Sequence, residues 1–97
     1  MKQLTIFCSR DLEAQVVSVL DGSGLHGYLR VGDATGNRFL PKGQVPRSLT
    51  WEAVMIVIPG DEDATIDAVR EKLQDIAASC GPDPCMRLLV NTACETY

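Results

Sequence analysis

Thr50-Trp51-Glu52-Ala53-Val54-Met55-Ile56-Val57-Ile58 (TWEAVMIVI) is the stretch that decides how the rest of this chain must fold. From Ala53 to Ile58 every residue is apolar, and Val54, Ile56, Val57 and Ile58 are β-branched. Such a run is too short for a buried helix, and Pro59-Gly60 follows it directly. It reads as a β-strand that is apolar on both faces. A strand of that kind belongs in the middle of a sheet, with neighbours on both sides and cover above and below.

The flanking sequence supplies those neighbours. Residues 2–8 alternate, with Leu4, Ile6 and Cys8 on one face and Gln3, Thr5 and Phe7 on the other, which is the period of a strand. Ser9 is a candidate N-cap for a helix whose Leu12, Val16, Val17 and Leu20 fall on one stripe. Asp11 and Glu13 in its first turn suit the helix dipole. Asp21-Gly22-Ser23-Gly24 ends it. Leu25 to Val31 reads as a second strand, with Leu25, Gly27, Leu29 and Val31 on one face. Gly32 to Ser48 carries three glycines and two prolines with no sustained period, and reads as a long loop. Beyond the central strand, Asp61 caps a second helix that keeps Ile66, Val69, Leu73, Ile76 and Ala77 in phase. Cys80-Gly81-Pro82 breaks that helix, and Met86 to Thr92 forms the last strand.

The order is βαββαβ, an α+β ferredoxin-like arrangement in one domain covering residues 1–97. Right-handed crossovers give an antiparallel sheet in the order 4-1-3-2 with both helices on one face. Thr5, Phe7, Tyr28, Met55, Val57 and Leu89 then point away from the helices. A single copy would leave this patch wet, so the physics favours burial against further copies of the same chain.

The formal net charge of −4 disfavours nucleic acid and anionic membranes as partners. No segment approaches the ~20 apolar residues of a membrane crossing, so no membrane insertion is expected. The opening MKQLTIFC, with one Lys and a short apolar stretch, does not read as a secretory signal. These features point to a cytoplasmic protein, in which the four cysteines are expected as thiols.

Charge is unevenly spread. Arg38, Lys42 and Arg47 give the segment 34–50 a charge of +3 with no acid, leaving −7 on the rest. With Arg30 before the segment and Arg87 after Cys85, these residues are candidates for binding a phosphate or carboxylate ligand, or an acidic partner. Cys8, Cys80 and Cys85 should come together at one edge of the sheet. They suit a soft ion such as Cu(I) or Zn(II), a redox pair, or simple packing beside a Pro-Gly turn; the spacing of five between Cys80 and Cys85 leaves all three open. His26 reads as a surface strand residue. No serine or cysteine has a base beside it in sequence, so an enzyme is not expected.

Gly24-Leu25-His26-Gly27-Tyr28, followed by a variable loop and a long apolar third strand, resembles the PII and PII-like signalling proteins over residues 2–92. The resemblance implies a homotrimer with the sheets packed inside. It implies a T-loop at 32–48 and ligand sites in the clefts between subunits, built from the T-loop base and the loop before strand four. It also implies a small anionic ligand, with adenine nucleotide the leading candidate, and a transporter or enzyme contacted through the loop. Two features depart from the best-known PII proteins. The segment has no tyrosine, and Ser79-Cys80-Gly81-Pro82-Asp83-Pro84-Cys85 replaces their phosphate motif T-G-x-x-G-D-G-K. The divergent PII-like groups are nearer, some carrying C-G-P-x-x-C at the C-terminus. Here that pattern precedes the last strand. The alternative function is a thiol-based metal-binding or redox-sensing protein.

Overall fold

The computed structural model describes residues 1–37, 50–81, 85–92 and 95, without the side chains of 33–37, 50 and 51. The chain runs β1 (Lys2–Ser9), a short 3-10 turn (Arg10–Leu12), α1 (Glu13–Asp21), β2 (Leu29–Asn37), β3 (Thr50–Asp61), α2 (Asp63–Ala78) and β4 (Met86–Asn91). The four strands form one sheet in the order β2-β3-β1-β4, antiparallel at every pairing. This is the expected order, with the expected central strand.

Alternation along β1 and β3 builds the core. Leu4, Ile6 and Cys8 lie beside Val54, Ile56 and Ile58, all essentially sealed from solvent. Val16 and Leu20 of α1 and Ile66, Val69 and Leu73 of α2 close over them. Each fully buried aliphatic side chain contributes about 1.5–3 kcal/mol, so this layer holds the domain together. Among the described residues, no helix covers the opposite face. Thr5, Phe7, Met55 and Val57 are only half-buried there. Leu29 is 63% exposed, and Val31 and Leu89 are each 49% exposed.

Five local expectations need correction. The second strand begins at Leu29 and continues to Asn37, so part of the expected loop 32–48 is paired with β3. Backbone hydrogen bonds hold a ladder whether or not its side chains are good strand formers. An extra β2 residue between Val31 and Ala34 is absorbed as a bulge. Residues 38–49, and with them Arg38, Lys42 and Arg47, lie outside the described residues.

Tyr28 belongs to the helix side. It packs against the core, and its hydroxyl donates to Asp21 Oδ1 at 2.8 Å. Leu29 and Val31 therefore take the open face, opposite Val57 and Met55. Pro59-Gly60 does not end β3, because a register shift against β1 between Leu4 and Lys2 lets the strand reach Asp61. Lastly, Ser9 precedes the 3-10 turn and not α1, and it makes no side-chain cap. Asp61 is likewise not the N-cap of α2; Glu62 holds that position.

Candidate functional site

β1 ends, β4 begins and α2 terminates at one end of the sheet. Ser9 N–H donates to Cys85 O at 3.0 Å, extending the β1–β4 ladder one step past Cys8 and Met86. Arg10 follows at once, and its guanidinium pairs with Glu52 of β3 at 3.2 Å. Arg87 stands one residue into β4, opposite Phe7. It is exposed on the open face, with no ion-pair partner among the described residues.

Arg30 is placed differently. Its register partner is Ile56, a core residue, so Arg30 lies on the helix side of the sheet. There its guanidinium pairs with Glu13 at the start of α1. β2 and β4 are the two edges of the sheet, three strand spacings apart, or about 14 Å. Arg30 and Arg87 thus occupy opposite edges and opposite faces, and one chain does not bring them onto a single small ligand. The acids that engage Arg10 and Arg30 come from other elements, which no local sequence pattern signals.

The cysteines do meet at this end, but not as a ligand set. Cys80 and Cys85 are joined in a disulfide, with Cα atoms 6.1 Å apart. It ties the turn after α2 to the first residue before β4. Cys8 is a free thiol sealed in the core, and burial, then the nearby Glu13 carboxylate, push it up to about 11. Metal coordination requires accessible thiolates. Two of the three sulfurs are bonded to each other and the third is buried as a neutral thiol. Among the described residues no three His, Cys, Asp or Glu side chains are grouped to hold a metal ion.

The far end of the sheet holds a pair that the sequence reading missed. The Asp61 side chain is 2% exposed, while that of His26 is 80% exposed. Asp61 Oδ2 accepts the His26 backbone N–H at 2.9 Å, and Oδ1 lies 3.2 Å from His26 Nδ1. Oδ1 also accepts the Glu62 N–H at 2.9 Å. The His26 N–H, followed by that of Glu62 and by the imidazole, holds the Asp61 carboxyl below the usual carboxylate range against the opposing effect of burial. Here Asp61 clamps the approach to β2 onto the end of β3.

No family model matches the chain, and no curated protein matches it. Solved structures do. The chain is similar to CPII, a nitrogen regulatory PII-like protein from Thiomonas intermedia, in its complex with ADP, AMP and bicarbonate. The TM-score is 0.69 at 18% identity, covering 93% of this chain and 86% of that one. The apo form of CPII gives 0.68 at 18% identity, covering 93% and 85%. Its complex with ADP, AMP and acetate gives 0.64 at 20% identity, covering 92% and 81%. This chain therefore has the fold of a PII-like protein. Among the described residues, no helix is long and apolar enough to cross a membrane.

Proposed function

We propose that this PII-like fold serves as a divergent cytoplasmic regulator, not an enzyme. It binds an adenine nucleotide, with a small carboxylate or bicarbonate as a second ligand, in clefts between the copies of a homotrimer. The observation that carries this reading is the separation of Arg30 from Arg87. Two cationic candidates on opposite edges and faces of one sheet converge only when a second copy brings its own edge alongside. The uncovered apolar face supports the same assembly, since Phe7, Val31, Met55, Val57 and Leu89 are what one copy offers another. CPII, with the same fold, has been solved with ADP, AMP and bicarbonate. Arg38, Lys42 and Arg47 complete the anion site from the 34–50 segment, and ligand occupancy sets how that segment meets a transporter or enzyme. A ligand shifts such a segment only by the difference in its affinity for the two arrangements.

Calorimetric titration with ADP, AMP and bicarbonate, singly and together, tests the ligand. Saturable binding with one site per chain is expected. No heat and no thermal shift with any of the three would remove the nucleotide reading. Light scattering tests the assembly, and three chains per particle is the expected mass.

A further inference from the structure

We propose that Arg10 is a further anion-binding residue of the proposed site and that Glu52 is its built-in competitor. A phosphate gains the Arg10 guanidinium only by taking it from the Glu52 carboxylate. The inference rests on the ligand reading above and adds what limits its affinity.

The placement comes from the sheet. β1 lies between β3 and β4, and Arg10 is the first residue past its end. On one side Ser9 is in register with Ala53, which brings Arg10 beside Glu52. Glu52 in turn faces Thr35, close to where the β2–β3 pairing reaches Asn37 and Thr50. On the other side the Ser9 N–H donates to Cys85 O, just before β4. Arg10 therefore stands between the two elements from which the proposed site is built, the joined end of β2 and β3 and the approach to β4. Arg87 lies at the same end of the sheet, opposite Phe7.

The energetics make Glu52 a competitor and not a brace. Arg10 Nη1 lies 3.2 Å from Glu52 Oε2, with the two side chains 40% and 61% exposed. An ion pair this open to water contributes little to stability. The strands it spans are already held by the β1–β3 backbone ladder, which runs to Ser9 and Ala53. A guanidinium donates to carboxylate and to phosphate through the same planar fork, so the two anions compete for one group. A phosphate monoester carries about −1.5 to −2 charges at neutral pH, against a single charge on Glu52, and so prevails. Glu52 weakens the ligand in two ways: it must give up Arg10, and its carboxylate stays close to the incoming phosphate. Arg30 repeats the pattern, its guanidinium being paired with Glu13, whereas exposed Arg87 has no ion-pair partner among the described residues. Binding at Arg10 thus exchanges a tie between β1 and β3 for a tie between β1 and the ligand.

Calorimetry with AMP on wild type, Glu52→Gln, Arg10→Gln and Glu71→Gln tests the exchange. The substituted side chains are open to water, so the unliganded variants should melt close to wild type. Glu52→Gln is expected to tighten AMP binding about threefold to fivefold, the range an exposed pair allows. Arg10→Gln is expected to weaken it about tenfold or more, as loss of a charge-assisted bond does. Glu71→Gln, on the exposed side of α2, makes the same change in net charge as Glu52→Gln and should leave the affinity unchanged. Weaker or unchanged AMP binding in Glu52→Gln overturns the inference, since Glu52 is then a brace or a bystander, and leaves the ligand reading standing. An equal gain in Glu71→Gln overturns it as well, because the effect is then one of net charge. If AMP binds to none of these proteins, the nucleotide reading fails, and the same comparison by thermal shift with inorganic pyrophosphate decides the inference. A larger shift in Glu52→Gln than in wild type upholds it, and no difference overturns it.

Discussion

Replacing Asp61 tests whether the clamp between β2 and β3 is a structural necessity. In Asp61→Ala the His26 and Glu62 backbone N–H groups lose their carboxylate acceptor. Hydrogen bonds to a charged group contribute about 1.5–3 kcal/mol each. The contact with the exposed His26 ring is left out of the sum, because water replaces it at little cost. The two backbone bonds together give a loss of about 3–6 kcal/mol, against a total stability for a domain of this size of roughly 5–15 kcal/mol. Asp61→Asn keeps one acceptor oxygen but loses the charge, and should cost about half as much. Urea unfolding at fixed protein concentration measures both. Acid adds a signature. The folded Asp61 pKa is lowered below its unfolded value near 3.8. Its contribution is therefore complete above that value and is lost as pH falls through the folded pKa. Wild-type stability should fall across this acid range more steeply than that of Asp61→Asn. A loss under about 1 kcal/mol in Asp61→Ala at neutral pH would refute the reasoning, since it lies below the lower bound for even one such bond.

Other perturbations address assembly, ligand and thiols. Met55→Lys places an ammonium group in the middle of the open sheet face, where a single copy tolerates it but a second copy would desolvate it at a cost of several kcal/mol. Light scattering should show a folded monomer in place of the proposed trimer; a trimer unchanged by this substitution would rule out this face as the interface. Arg87→Ala should abolish the thermal shift produced by AMP with no loss of unliganded stability, because Arg87 is exposed and unpaired among the described residues. Retained full affinity would take Arg87 out of the site. With its thiol held near 11, Cys8 carries only about one thiolate per thousand at pH 8. It should resist iodoacetamide until the chain is unfolded, and rapid labelling of native Cys8 would contradict its burial.

Hydrophobic period alone settled much of this protein. The double-sided run Ala53–Ile58, the alternation of Leu4, Ile6 and Cys8, and the stripe through Ile66, Val69 and Leu73 defined the central strand, its neighbour and a covering helix. Chain-connection rules then gave the sheet order. Side-chain periodicity reports which face is buried, so these elements were legible from residue types.

The extent of β2, the faces of Tyr28 and Leu29, and the role of Asp61 were decided only in three dimensions. β2 continues past the bulge after Val31 and through Gly36 on backbone pairing to β3, and backbone hydrogen bonds leave no mark in residue type. The partners of Asp61 and Arg30 come from distant parts of the chain: His26 is 35 residues from Asp61, and Glu13 is 17 residues from Arg30. The cysteine pair was legible as a candidate, but three chemistries fit its spacing. Packing chose among them by sealing Cys8 in the core and bringing Cys80 and Cys85 within bonding distance at the end of α2. Periodicity is a property of neighbours along the chain, whereas a site is made by residues that only folding brings together. That is why the sequence by itself determined the order of elements and the core, while the tertiary structure decided which charged and sulfur-bearing groups could act together.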